Sequence, residues 1–571
     1  MKLVRRIVVV GFLALIVAVA WLAWNRPRNA DMAGYAPADS LVYLESNSLL
    51  EIAEGIANTD AWKGLSPFLA VGVVPRPNRW VALFLSWTGM GPTSEVILCR
   101  AQVAMVMLDL GVSEQGETLT IKPEAAILVE THTSERRIRA TIEEALRRFA
   151  EKSYREPTFQ RTNEDQTEFL SWTAPAGDRQ IVATIDGSVL IVGNSQRAAR
   201  ICLEVRRGHR TSLSQNPELR QMRINLGADR ALAFGFVSSS HAAQLLSLGA
   251  PLLIGRARGE FSFERTIATG AAKILGGIGW SSQSHRGGIE DRYLFSLQPT
   301  VVSSLRQAFR GSEAESHGLE MLPDDVYSLT IYKFEDPAAT WRIFESAVSA
   351  QLDTLSAMVF TSLAKSALLP YGIEEPEKFL QAVGPELITA RLKPDAERAL
   401  LIARIRNESI VREIFIKPGA QARIDRIGQN ELILFPDKRA MSFFAGNLLI
   451  GREEDVRRCI QIKNSPPEIQ GELRFAKLSY FAPLTGSTAL VTYTNEAGHL
   501  QDFVAALGRV GASNSAVNAV PQVERAISAL PYSATETVLS DQGIERRTRS
   551  SLGQFSTLMT LLLPRAEVSK S

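Results

Sequence analysis

Residues 190–204 read LIVGNSQRAARICLE and residues 448–462 read LLIGREEDVRRCIQI. Each is a short apolar run, a glycine, and then an arginine-rich segment carrying one cysteine. A chain that states one local instruction twice should fold it twice, so this echo constrains the architecture more than any other feature. Before the first copy lies RQIVATIDGSVLIVG and before the second MSFFAGNLLIG. The pairs Asp186-Gly187 and Gly446-Asn447 predict a tight hairpin in each. After each hairpin the spacing predicts a helix, with Ala198, Cys202 and Val205 on one face of the first and Val456, Cys459 and Ile460 on one face of the second. Cys202 and Cys459 thus read as equivalent small buried hydrophobes rather than reactive thiols.

The correspondence continues in order. PELR at 217–220 is echoed by GELR at 471–474. A strand at 230–237 before HAAQLLSL is echoed by one at 488–494 before AGHLQDFVAAL, and GGIEDRYLFSLQP (287–299) by QGIERRTRSSLGQF (542–555). Matched positions are offset by 258 at Gly193 and Gly451, 258 at Ala231 and Ala489, and 255 at Gly288 and Gly543. Colinear anchors at a nearly constant offset point to duplication. The openings correspond too: APADSLVYLESNSL (36–49) with LPDDVYSLTIYKFED (322–336), then the strand and helix of 125–152 with those from Ala399 onward. The expected fold class is α+β, in two tandem related units with mainly antiparallel sheets, residues 30–315 and 316–571. Leu352–Leu369 is a polar-poor helical insert found in the second unit alone, expected to be packed core rather than a lid or a partner-binding helix.

Residues 1–29 are expected to be a transmembrane signal anchor. Lys2, Arg5 and Arg6 precede 18 uncharged residues from Ile7 to Trp24, and Arg26 and Arg28 follow. That run is about 27 Å long as a helix, close to the thickness of a bilayer's hydrocarbon core. Trp21 and Trp24 fall where an aromatic belt lies, and the charge bias puts the remainder outside the cytoplasm. The implied localisation is a single pass through the inner membrane with a periplasmic bulk. Ala18-Val19-Ala20 is the competing cleavage site, but the apolar run continues past it.

Composition excludes several classes. Sixty-three Lys and Arg against 61 Asp and Glu leave a net charge of +2, which gives no field for nucleic acid. The cluster Arg136, Arg137, Arg139, Arg147 and Arg148 is interleaved with Glu135, Glu143, Glu144 and Glu151, the pattern of a solvated, ion-paired helix face. Three cysteines, Cys99, Cys202 and Cys459, exclude a disulfide framework of the small secreted type and leave room for one optional bridge.

The opening strand led by a proline, Gly384-Pro385-Glu386-Leu387, and the Asp-Gly hairpin followed by a helix resemble a bacterial family of unknown function. Its members are signal-anchored exported proteins with a repeated α+β ectodomain. The resemblance implies no catalytic residues.

Ser362-Leu363-Ala364-Lys365 places a lysine one helical turn from a serine, as penicillin-recognising acyl transferases do, but no K-T-G element follows. Gly277-Ile278-Gly279 lacks a third glycine and an acidic ribose partner, and no P-loop exists. None of His132, His209, His241, His285, His317 and His499 pairs with another at ligand spacing. Asp324-Asp325 and Glu374-Glu375 sit beside prolines, where capping explains them. No catalytic, cofactor-binding or metal residue is assigned, and no cofactor is expected. The leading expectation is a non-enzymatic, membrane-anchored interaction or assembly module whose partners are the membrane and other envelope proteins. The alternative is a carrier or sensor of an apolar ligand bound between sheet and helices. A hydrolase using Ser362 and Lys365 is the third.

Overall fold

The computed structural model describes residues 29–67, 101–115, 118–154, 156–164, 166–245, 270–306, 309, 311, 318–323, 325–394, 396, 398–416, 422–463, 488–510 and 520–562. Residues 1–28 of the expected anchor, Cys99, His317 and the GELR echo at 471–474 lie outside them. Among the described residues no helix is long and apolar enough to cross a membrane. Contacts divide the chain into two compact units. The first takes in Met1–Ser40, Glu45–Leu49 and Thr88–Gln215; the second takes in Leu41–Leu44, Leu50–Trp87 and Asn216–Ser571. Strand β1 (Val42–Ser46) is divided between them.

In the first unit, β2 (Gln102–Gln115), β3 (Thr118–Glu130), β4 (Thr158–Glu164), β5 (Thr167–Thr173), β6 (Gln180–Asp186) and β7 (Val189–Gly193) form an antiparallel sheet. Its order is β2-β3-β7-β6-β5-β4. Period-two alternation sends Leu190 and Val192 to one face, where they pack with Ile138, Ile142 and Leu146 of the helix Glu135–Tyr154. Gly193 belongs to the opposite face, under the helix Gln196–Arg206. A Cβ there would lie 3.0 Å from the Ala199 nitrogen and 3.2 Å from the Ala198 Cβ, so the close helix requires glycine. Ser195 caps that helix by accepting from the Ala198 amide at 3.0 Å. The expected ion-paired face is present, with Arg139–Glu135, Arg147–Glu151 and Arg148–Glu144 at 2.9, 2.7 and 2.7 Å.

In the second unit the strands are β8 (Ala233–Val237), β9 (Leu275–His285), β10 (Gly288–Leu297), β11 (Ser328–Lys333), β12 (Val383–Arg391), β13 (Leu400–Ile405) and β14 (Arg423–Ile427). They are followed by β15 (Asn430–Leu434), β16 (Arg439–Phe444), β17 (Asn447–Arg452), β18 (Leu490–Thr494), β19 (Ser533–Ser540) and β20 (Gly543–Ser550). Antiparallel pairing runs β8-β9-β10-β20-β19-β18-β11-β12-β13-β17-β16-β15-β14. Residues 216–306 count with the C-terminal half because β10 pairs with β20 from Ile289–Ser550 through Ser296–Gly543. Here Leu449 packs with Val456, Cys459 and Ile460 on one face of the sheet. Leu448 and Ile450 pack with Val411, Ile414 and Phe415 on the other.

Both predicted hairpins exist, with turns displaced by one residue. In the first, Asp186 still pairs with Val189, and the loop is Gly187-Ser188 with φ +64° at Gly187 alone. In the second, Phe444 pairs with Asn447 and the loop is Ala445-Gly446, at φ +49° and +76°. Two successive positive φ values define a type I′ turn. Asp186 and Asn447 therefore stay in their strands, where the Asp186 carboxylate accepts from Arg207 at 3.3 Å. The stretch Gly384-Pro385-Glu386 sits at a register shift of β12, a bulge that accommodates a residue without an N–H.

Candidate functional site

The sheet strands β11, β12, β13 and β18 form the floor of a cavity of about 640 Å³ in the second unit. That volume lies within the range of small-molecule sites. Three helical segments make its walls. Asp336 caps the helix Pro337–Ser349 by accepting from the Ala339 amide at 3.0 Å, and Pro337 occupies the first turn. Pro337, Thr340, Trp341 and Phe344 then recur at i, i+3, i+4 and i+7, so one face of this helix lines the cavity. The helix Pro376–Ala382 adds Phe379 and Leu380, and the stretch after the helix Thr354–Ser366 adds Ala367, Leu368 and Tyr371. Two edge-to-face aromatic pairs brace the walls, Phe344–Phe360 at 5.6 Å and Phe379–Phe415 at 6.2 Å. Gly372, at φ +81°, turns the chain after Tyr371, whose carbonyl accepts from Arg439 at 2.7 Å.

Most of the lining is aliphatic or aromatic. Ser328, Thr330, Thr340, Thr389, the two tyrosines Tyr332 and Tyr371, and Arg391 are its polar members among the described residues. Thr330 is joined to Thr492 by a 3.0 Å hydroxyl contact. Burial pushes the Tyr371 phenol up to about 12, Tyr332 adds to the rise, and the Arg391 guanidinium opposes it. The Tyr371 hydroxyl thus stays protonated at neutral pH, and Arg391 is the charged side chain of the lining among the described residues.

The insert corrects an expectation. In the helix Thr354–Ser366 only Ser356 is buried, while Leu355 and Met358 are 62% and 67% exposed. This helix sets Phe360 against Phe344 of the cavity wall instead of lying inside a core, and Lys365 is its sole charged residue. Ser362 and Lys365 are both exposed on it, and neither lines the cavity. Gly277 and Gly279 belong to β9; a Cβ on Gly279 would come within 2.4 Å of the Met222 sulfur, so helix packing accounts for that glycine. Of the two acidic pairs, Asp324 lies outside the described residues. Asp325 pairs with Arg458 at 2.7 Å, and Glu375 stands at the cap of its helix without a side-chain hydrogen bond. Among the described residues no group of three His, Cys, Asp or Glu side chains could hold a metal ion.

Cys202 and Cys459 are both fully buried, as expected, and burial raises the Cys202 thiol to about 12. Arg206 lies over the Tyr35 ring at 4.9 Å.

Two polar clusters had no sequence signal. In the first unit Gln102 grips Ala30, accepting from its amide at 2.7 Å and donating to its carbonyl at 3.0 Å. Beside it His132 contacts the Gln102 carbonyl oxygen at 3.1 Å, and Tyr35 donates to Glu130 at 3.1 Å. In the second unit Asp291 accepts from the Trp280 indole at 2.9 Å and the Gln554 amide at 3.0 Å, and Glu496 accepts from the Ser551 amide at 2.9 Å. Burial raises both carboxyls, Asp291 to about 6 and Glu496 to about 7. Each residue is unremarkable in the sequence; only the tertiary fold brings them together.

No protein-family model, no curated protein and no solved structure matches the chain.

Proposed function

We propose that this chain is a non-enzymatic exported protein, held at the inner membrane by its N-terminal apolar run, whose second unit binds an apolar molecule between sheet and helices. The observation that carries this reading is the cavity of about 640 Å³ with its largely apolar lining. A half-open pocket lined by Trp341, Phe344, Phe379 and Leu401 leaves apolar surface against water unless something apolar covers it. The test is titration of the full chain with an apolar fluorescent dye such as N-phenyl-1-naphthylamine. Saturable binding of about one dye per chain is expected, with loss in Leu401→Trp, where the indole fills the space. An unaltered titration in Leu401→Trp would place the dye elsewhere and refute the reading.

We further propose that the architecture is a tandem duplication. The strand order β4-β5-β6-β7-β3-β2 recurs as β14-β15-β16-β17-β13-β12, and β8-β9-β10 recurs as β18-β19-β20. Every strand in these series corresponds to the strand ten places later. The cysteine-bearing helices follow β7 and β17.

A second reading, an assembly module docking other envelope proteins, is favoured by one feature. The insert helix leaves Leu355 and Met358 exposed, an unusual outlay of apolar surface for a solvated helix. Photo-crosslinking from position 358 in intact membranes tests it: a discrete adduct with another envelope protein supports docking, and an unshifted band contradicts it.

A further inference from the structure

The cavity floor changes character along its strands. Ser328 pairs with Arg391, Thr330 with Thr389 and Tyr332 with Leu387. Directly paired residues on antiparallel strands project to the same face, so these pairs make successive rows across the floor. The first row holds a hydroxyl and the guanidinium, and the second holds two hydroxyls with Leu401 beside Thr389. The third row adds Leu387 and Leu490 to Tyr332. Beyond it stands Phe334, edge-to-face with Phe309 at 5.8 Å. From Ser328 to Phe334 the strand advances about 20 Å, the reach of one long alkyl chain.

Arg391 is the charged member of the lining, and among the described residues no carboxylate lines the cavity with it. Among the described residues its side chain makes no ion pair or hydrogen bond. It is exposed, at the solvent edge, while Phe309 and Phe334 at the aromatic end are half-buried. A guanidinium left unmatched beside neutral hydroxyls is a receptor for an anion, which it binds through paired N–H donors.

We propose that the ligand is a single-chain amphiphile with an anionic head, its head on Arg391 and the hydroxyls of Ser328 and Thr389, its chain running toward Phe334. This rests on the cavity being a binding site and adds the chemical class of what it takes. Carboxylate and phosphate heads share the required charge, and the experiment separates them.

The test is displacement of N-phenyl-1-naphthylamine from the full chain by palmitate, hexadecyl phosphate and hexadecanol. At least one of the two anions should displace the dye about tenfold more tightly than the alcohol, equivalent to about 1.4 kcal/mol. The stronger of the two identifies the head. In Arg391→Gln that advantage should fall to within about twofold while the affinity for hexadecanol stays unchanged, and Arg391→Lys should retain part of it. Arg391 is exposed and unpaired, so both variants should melt with the wild type. Equal displacement by anion and alcohol in the wild type, or an anion preference that survives Arg391→Gln, would overturn the proposal and leave the cavity reading standing. Failure of the dye and of every chain compound to bind would overturn both.

Discussion

Asp291 is fully buried, and the hydrogen bonds it accepts from Trp280 and Gln554 do not offset its lost hydration, so its carboxyl titrates near about 6. Glu496, raised to about 7, feels the Asp291 charge as well. Both values exceed the ordinary carboxylate range, so between that range and about pH 7 the folded chain holds more protons than the unfolded one. Stability must therefore fall as pH rises through this window, by a few kcal/mol over both groups. Glu545, which is lowered, acts in the opposite sense only below the ordinary range, while His285, lowered chiefly by burial, offsets part of the fall near and below the usual histidine value. Calorimetry of the full chain should show Tm dropping by several degrees from pH 5 to pH 8. Asp291→Asn with Glu496→Gln should flatten the slope, and a Tm that climbs over that range would contradict the assignment. The cysteines behave differently. Cys202 and Cys459 have no accessible surface, so native alkylation should run far slower than in denaturant, and valine at either position should cost only about 1 kcal/mol. Their burial was legible from helical spacing in the sequence. The Asp291–Glu496 pair was not, because desolvation arises from contacts between segments about 200 residues apart.

At the level of elements, the local signals located both hairpins and misplaced each turn by one residue. An Asp-Gly or Gly-Asn pair marks where the chain reverses, but which two residues leave the ladder depends on register with the neighbouring strands. Asp186 and Asn447 remain in register, and Gly187 and Gly446 take the positive φ values. The insert helix shows the opposite failure. Its apolar composition suggested core, but apolar content without an amphipathic stripe does not say which side is covered. Since Leu355 and Met358 face outward, replacing both with serine should shift Tm by no more than about 2 °C in the purified chain. A loss of several kcal/mol would mean that they are packed. By contrast Ser195→Ala removes the cap of the helix Gln196–Arg206 and should cost about 1 kcal/mol in chemical denaturation.

Across the whole molecule, the α+β class and the antiparallel sheets followed from the hairpin spacing. The cavity was not legible. Its lining comes from residues spread between Phe309 and Leu490, which read one by one as ordinary core positions. What sets it apart is a place where helices 337–349 and 376–382 leave the sheet face unfilled, and only three-dimensional packing reveals that. The most direct measurement is organic extraction and mass spectrometry of the full chain purified from its own membranes, wild type beside Leu401→Trp. One apolar molecule per chain should co-purify with the wild type and be depleted at least fivefold in the variant. An empty wild-type extract, or equal recovery of the molecule from both proteins, would contradict ligand binding in this cavity.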